Sequence, residues 1–275
     1  MCIYQLGFHA EGRPLSLTPI TNELLTLSIY TLTCLLTLPV QYAYSVGSIP
    51  TYRTPPPKHP MSYAQLSHNA REIVARFTLA TTQEIQAGRD WYPNALKICH
   101  SISNRYHVPA STVAGVVSAL SPRNEWSRNI IDAEAMCKLH QSHATRKDLQ
   151  RLKVCTFKTN KTLAIAILTL PAIPVEAILT GDKRLEFYNC IYRRQLDDVC
   201  IDGHAYSIWL GSRVTTTKTP PIGKKLRQQI KQDYRDATAF LNEELNETFM
   251  TADIQAITWV THKRIHNVLR GYYKV

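Results

Sequence analysis

Val199-Cys200-Ile201-Asp202-Gly203-His204-Ala205 is the stretch on which the fold turns. Three apolar residues run into an aspartate, a glycine and a histidine, and helical spacing resumes at Ala205. A sheet strand is ordinarily about five or six residues long, so this run is short for one. The other β-rich piece, Val214-Thr215-Thr216-Thr217, is also short. Strands and helices do not alternate along the chain, which points away from an α/β sheet and towards an all-α fold. In this setting Asp202 is a candidate N-cap, accepting hydrogen bonds from backbone N–H groups of the first helical turn. A carboxylate held by such donors stays ionised near neutral pH.

Outward from Asp202 the apolar residues keep helical spacing on both sides. Towards the C-terminus the pattern predicts helices over residues 205–210, 224–244 and 252–268. Towards the N-terminus it predicts helices over 183–191, 175–179, 161–168, 148–152 and 124–140. Pro109 sits at the first turn of a further helix that reaches Leu120 and is broken by Ser121-Pro122. Leu66, Ile73, Val74, Phe77, Leu79 and Ile85 place another between Ser62 and Gly88, with Gly88 read as its stop. The next helix is expected to begin around Trp91-Tyr92-Pro93. There Asp90 reads as an N-cap with the two rings packed behind it, or as one edge of an aromatic pocket.

This regularity begins only near residue 61. Residues 1–60 hold two acids, Glu11 and Glu23, and three bases, Arg13, Arg53 and Lys58. They close on Thr54-Pro55-Pro56-Pro57-Lys58-His59-Pro60, a stiff extended linker. Residues 24–44 carry no charge and are long enough to span a bilayer. However, Thr and Ser interrupt them and the flanks lack the basic bias that orients an anchor. Three readings stay open for this segment: sequence upstream of a true start at Met61, a disordered extension, or a membrane anchor. Membrane association is expected only on the last. Residues 61–275 form the helical domain.

The rest of the chain holds 29 basic and 19 acidic residues, so most of the +11 surplus lies there. That balance favours a polyanionic partner. The bases cluster at Arg146, Lys147, Arg151, Lys153, Lys158 and Lys161, at Lys218, Lys224, Lys225, Arg227 and Lys231, and at Lys263, Arg264 and Arg270. Each cluster is either a phosphate-contacting face or a solvated one. Seven cysteines, an odd number without C-x-x-C spacing, argue against a disulfide framework and for a reducing, cytoplasmic setting. His262 and His266 stand one helical turn apart without a third ligand nearby, so no metal is expected.

Three segments carry candidate chemistry: residues 119–129 around Ser121-Pro122-Arg123-Asn124, then Thr180-Gly181-Asp182-Lys183, then the opening stretch around Asp202. Read from the residues alone, Lys183 is a nucleophile if burial frees its amine, or a surface lysine; Asp202 is a functional carboxylate, or an ordinary cap. Trp126 and Asn129 share a helix face. Trp126 reads as a core residue or a stacking platform, and His204 as a structural or a substrate-contacting histidine.

Together these segments resemble the helix-hairpin-helix DNA glycosylases. Members of that superfamily carry a hairpin of the form L-P-G-V-G-x-K-T-A, followed some twenty residues later by V-D-T-H. Gly181-Asp182-Lys183 is similar to the first, and Val199-Cys200-Ile201-Asp202-Gly203-His204 to the second, nineteen residues separating Lys183 from Asp202. Upstream, Val117-Ser118-Ala119-Leu120-Ser121 resembles the family's apolar segment ending in L-S. Phe157-Lys158-Thr159-Asn160-Lys161 resembles its Y-x-x-K-A helix start. The resemblance spans residues 113–211 and is nearest to a divergent phage and bacterial branch. It implies a two-lobed helical fold, a DNA partner, a monomer and no cofactor. It implies Lys183 as the amine that attacks the sugar C1′ of a flipped nucleotide, and Asp202 as the carboxylate that activates it and stabilises the cationic sugar. Arg123, Asn124, Trp126, Lys161, Gly181 and His204 would contact the nucleic acid. The chain also departs from the pattern. Ile178 and Leu179 replace the hairpin's Pro and first Gly, and Arg184 and Leu185 replace its Thr and Ala. No Cys follows Cys200, so the iron–sulfur cluster of many members is not expected. Two functions follow as expectations: processing of a flipped DNA base, modified or not, or DNA binding without chemistry on the same fold.

Overall fold

A computed structural model describes residues 62–215 and 218–267, all within one unit, Thr54–Val275. The three readings of residues 1–60 and the end of the β-rich piece at 216–217 lie outside the described residues. Within them every regular element is a helix, and the runs at 199–201 and 214–215 form no strand. After a 3-10 turn at Tyr63–Gln65 come α1 (His68–Thr78), α2 (Thr82–Tyr106), α3 (Ala110–Leu120) and α4 (Trp126–Gln141). Then follow α5 (Arg146–Arg151), α6 (Lys158–Thr169), α7 (Val175–Ile178) and α8 (Asp182–Tyr188). The last described elements are α9 (Gly203–Trp209), α10 (Lys224–Leu245) and α11 (Thr251–Ile265). No helix among the described residues is long and apolar enough to cross a membrane.

Caps set several of these boundaries. Ser67 accepts from the Ala70 N–H to start α1, while its hydroxyl donates to Asp233 of α10 at 2.6 Å. Thr81 and Glu84 form a capping box that starts α2, and Arg264 of α11 binds the same Glu84 at 2.7 Å. Thr145 and Asp148 do the same for α5. At the other end of α5 the Lys161 ammonium donates to the carbonyls of Gln150 and Leu152. Cations at a helix C-terminus satisfy carbonyls that lack intrahelical partners. Lys161 therefore closes the end of α5.

The expected stop at Gly88 is also corrected. The break comes earlier, at Leu79–Thr81, and α2 then runs unbroken through Gly88 and Pro93. Asp90 consequently lies inside the helix, accepting from Gln86 one turn back, and caps nothing. Gly88 is present for a tertiary reason. A Cβ there would sit 2.6 Å from the Ile257 backbone nitrogen and 2.7 Å from its Cα, because α11 crosses α2 at that point. Alanine would gain about 1 kcal/mol of helix propensity. The obstacle is backbone, however, and overpacking of this kind costs roughly 1–3 kcal/mol. Gly88→Ala is expected to lower the urea midpoint without changing the denaturant slope; an unchanged or raised midpoint would refute the close crossing.

Buried side chains fall into two clusters. The first gathers Tyr92, Val116, Leu120, Met136, Leu149, Ile165 and Ile191 from the middle of the chain. The second gathers Ile73, Phe77, Ile201, Ile208, Ile230, Tyr234 and Phe249. The last helix serves both: Ala252 and Ala256 join the first cluster, Ile254 and Ile257 the second. The expected helix at 183–191 is shorter, giving way after Tyr188 to a π-helical turn, Asn189–Arg193, that ends on Arg194 at φ 54°. This local widening buries Cys190 and Ile191.

Candidate active site

Two neighbouring segments are stapled together here. The α8 helix begins at Gly181, whose φ of 86° suits a residue without a side chain, and carries Lys183 in its first turn. Residues 199–202 run alongside. The Cys200 thiol donates to the Lys183 carbonyl at 3.6 Å, and the Ile201 N–H donates to Glu186 at 3.1 Å. Asp202 then caps α9 as expected, its Oδ1 accepting from the His204 and Ala205 N–H groups at 2.9 Å each. The second oxygen, Oδ2, is left facing the Lys183 ammonium at 4.0 Å. Both side chains keep solvent contact, 37% exposed for Lys183 and 21% for Asp202.

Burial alone would push the Asp202 carboxyl up. The Lys183 and His204 charges and the two backbone donors overcome it and hold the group below the usual carboxylate range. Asp202 is thus an anion at neutral pH. Burial pushes the Cys200 thiol well up, so it stays protonated and is no nucleophile.

The pair opens on a cleft of about 130 Å³. Its walls are aromatic. Trp91, Trp126, Trp259 and Phe187 line it, so three of the chain's four tryptophans meet at one place. Trp91 lies 5.2 Å from Trp126 and 5.0 Å from Trp259, centre to centre, and Trp126 meets Phe187 edge-on at 6.2 Å. All four rings are half-buried and present a surface to the cleft. A cavity of roughly 150 Å³ takes up benzene, so this one admits a flat ring. Aromatic cages also attract cations, but Lys183 borders this one and the Lys263 ammonium already lies 4.2 Å over Trp259. The electrostatics favour a neutral ring or one attached to an anionic chain.

Polar groups complete the lining. Tyr92 donates to the Gln255 Oε1 at 2.9 Å, and both residues border the cleft. Asn124 and Asn129 line the opposite stretch of wall. The former is held by Asp132, which accepts from Asn124 Nδ2 at 3.2 Å and also binds Arg128 and the Cys155 N–H.

Of the expected site residues, the fold brings Lys183, Asp202, Asn124 and Trp126 into one cleft. Trp126 both lines the cleft and packs against the first buried cluster. Arg123, in the turn beside Asn124, is exposed at φ 57° with its guanidinium 5.3 Å over Phe157. His204 and Gly181 do not line the cleft; the His204 ring sits behind it, 6.4 Å from Trp259 and 5.6 Å from His262. Phe187 and Gln255 went unread in the sequence. Their signal is the four-residue spacing that puts Phe187 on the face of Lys183, and Gln255 on the face of Trp259. Among the expected basic faces, Arg227 and Lys231 are engaged with Glu186, and Arg264 with Glu84. No group of three His, Cys, Asp or Glu residues able to hold a metal ion occurs among the described residues.

A sequence family matches residues 57–267, which takes in the whole helical region. The chain belongs to that family. It is described as a family of unknown function, DUF7178. No curated protein and no solved structure matches the chain.

Proposed function

We propose that this domain processes a base of DNA, taking a flipped nucleotide into the cleft between its tryptophans. The observation that carries the reading is the meeting of Lys183 and Asp202 at 4.0 Å beside the ring-lined cleft. A base leaves the duplex stack only if another stack receives it, and a base–aromatic contact contributes roughly 1–3 kcal/mol. Lys183 would lose a proton to the solvent that reaches it, and its Nζ would bond to the sugar C1′. The glycosidic bond breaks, and its electron pair leaves with the base, which takes up a proton. Ring opening gives a Schiff base between Lys183 and the sugar. Asp202, already ionised, stabilises the positive charge that builds on the sugar. The two buried clusters with α11 between them fit the two-lobed arrangement that the resemblance implies. A monomeric, cytoplasmic enzyme without a cofactor is part of the same proposal.

One observation favours the second reading, a DNA-binding protein of the same fold without chemistry. At the start of α8 stands the Asp182 carboxylate, paired with Arg227 at 3.1 Å, where a hairpin of the resembling family would hold a DNA phosphate. A single experiment separates the two. The full-length chain is incubated with duplex DNA holding an abasic site and reduced with borohydride. A covalent protein–DNA adduct is expected, and it should disappear in Lys183→Ala. DNA binding without an adduct would sink the Lys183 mechanism and leave the binding protein.

A further inference from the structure

Two oxygens in the cleft wall have no donor. Asn129 is 1% exposed, and its Nδ2 donates to the Val117 carbonyl at 3.0 Å. That carbonyl can only accept, so the orientation of the amide is settled: the nitrogen faces Val117 and Oδ1 faces away. The same holds for Asn124, whose Nδ2 donates to the acceptor-only carboxylate of Asp132. Both Oδ1 atoms are buried, and no donor among the described residues reaches either. Both residues line the cleft. A buried acceptor without a partner costs about 1–3 kcal/mol, and two on one short stretch of wall call for an occupant that supplies hydrogens.

We infer that the cleft selects a base carrying an exocyclic amino group, with Asn124 and Asn129 as the residues that read it. This inference rests on the base-binding reading above and adds the class of base. An amino group supplies N–H donors, the kind of partner that both orphaned oxygens lack. A base with a carbonyl at that position, such as uracil or hypoxanthine, brings a third set of lone pairs against the two already there. A site with buried unpaired groups rejects the analogue that cannot pair them more strongly than a purely apolar pocket does. The aromatic rings accept any base face, so the discrimination falls to this wall.

The test uses the full-length chain and four labelled duplexes, each with one bulged, unpaired nucleotide, read by fluorescence anisotropy at fixed salt. The bulged bases form two pairs that exchange amino for oxo: adenine with hypoxanthine, and cytosine with uracil. A bulge-free duplex of the same sequence is the reference. In at least one pair the amino member is expected to bind about tenfold more tightly, the scale of one good base-edge contact. The amino-to-oxo ratio should fall several-fold in Asn124→Ala, a variant in the turn that leaves the Asn129–Val117 bond in place. A loss of stability alone would not move that ratio, and the wild-type comparison stands if the variant fails to fold. Equal affinity for amino and oxo bulges, both above the bulge-free duplex, would overturn the inference and keep the base-binding cleft. Equal affinity for all five duplexes would overturn the cleft reading as well.

Discussion

Glu186→Ala is expected to destabilise the domain by about 3 kcal/mol, more than any other single truncation of a polar side chain near the site. The carboxylate side chain is 6% exposed and meets Arg227 at 2.6 Å and Lys231 at 2.9 Å, themselves 14% and 18% exposed. It also accepts the Ile201 N–H. Burial pushes its pKa up, against the pull of Lys231, Arg227 and that N–H. Lys231 responds in the opposite sense: burial would lower it, but Asp198 and Glu186 hold it raised. Truncation leaves two buried cations facing each other. Arg227 keeps Asp182 and Lys231 keeps Asp198, which places the loss at the low end of the roughly 3–5 kcal/mol seen when one buried partner is removed. Urea unfolding measures it. Lys224→Ala, an exposed change at the start of the same α10 helix, should stay within about 0.5 kcal/mol and serves as the control. Glu186→Gln retains an oxygen for Ile201 and should recover part of the loss. A loss below about 1 kcal/mol in Glu186→Ala would mean that the cations are solvated and the network is ornamental. The residue matters for the site because it lies on the helix of Lys183 and bonds the backbone next to Asp202, fixing the register between them.

The parts of this site that were legible in the sequence are those set by local chemistry. An aspartate and glycine between an apolar run and a helical pattern specify a cap, and Asp202 is one, down to its two backbone donors. The helix count and most boundaries follow from periodicity for the same reason: the burial of one face is written every three or four residues. What was illegible depends on partners distant in sequence. Gly88 reads as a stop by propensity, yet its lack of a Cβ serves Ile257, which arrives from the last helix. Trp91 reads as a packed ring or as one edge of an aromatic pocket, and only the crossing of α2 with α11, which brings Trp259 against it, makes it a wall of the cleft. Lys161 reads as one base in a basic run, but the helix end it closes is local and needed the fold of α5 to be seen. Glu186 gave no signal at all, because a glutamate in a helix is ordinarily solvated and its two cations come from α10. The resemblance to glycosylases singled out Lys183 and Asp202 as a pair, and the fold sets them side by side.

The decisive substitution is therefore Asp202→Asn, which separates the cap from the charge. Asparagine caps a helix about as well as aspartate, so the bonds to the His204 and Ala205 N–H groups can persist and the urea midpoint should move little. The negative charge facing Lys183 is lost. If Asp202 stabilises the positive charge that forms at C1′ as the Lys183 Schiff base is made, the rate of adduct formation at an abasic site should fall by roughly 10²–10³-fold, the usual effect of removing one preorganised electrostatic group. DNA affinity should not weaken, since taking a carboxylate away from a polyanion removes repulsion. In the wild type the depressed pKa predicts a matching pH profile. Asp202 is already ionised above the ordinary carboxylate value, so its contribution is present throughout the neutral range and is lost only as pH falls below that ordinary value. A full rate in Asp202→Asn, with folding intact, would reduce Asp202 to a cap. In that case the charge of Asp202 would play no part in the reaction of Lys183, and the carboxylate would serve the start of α9 alone.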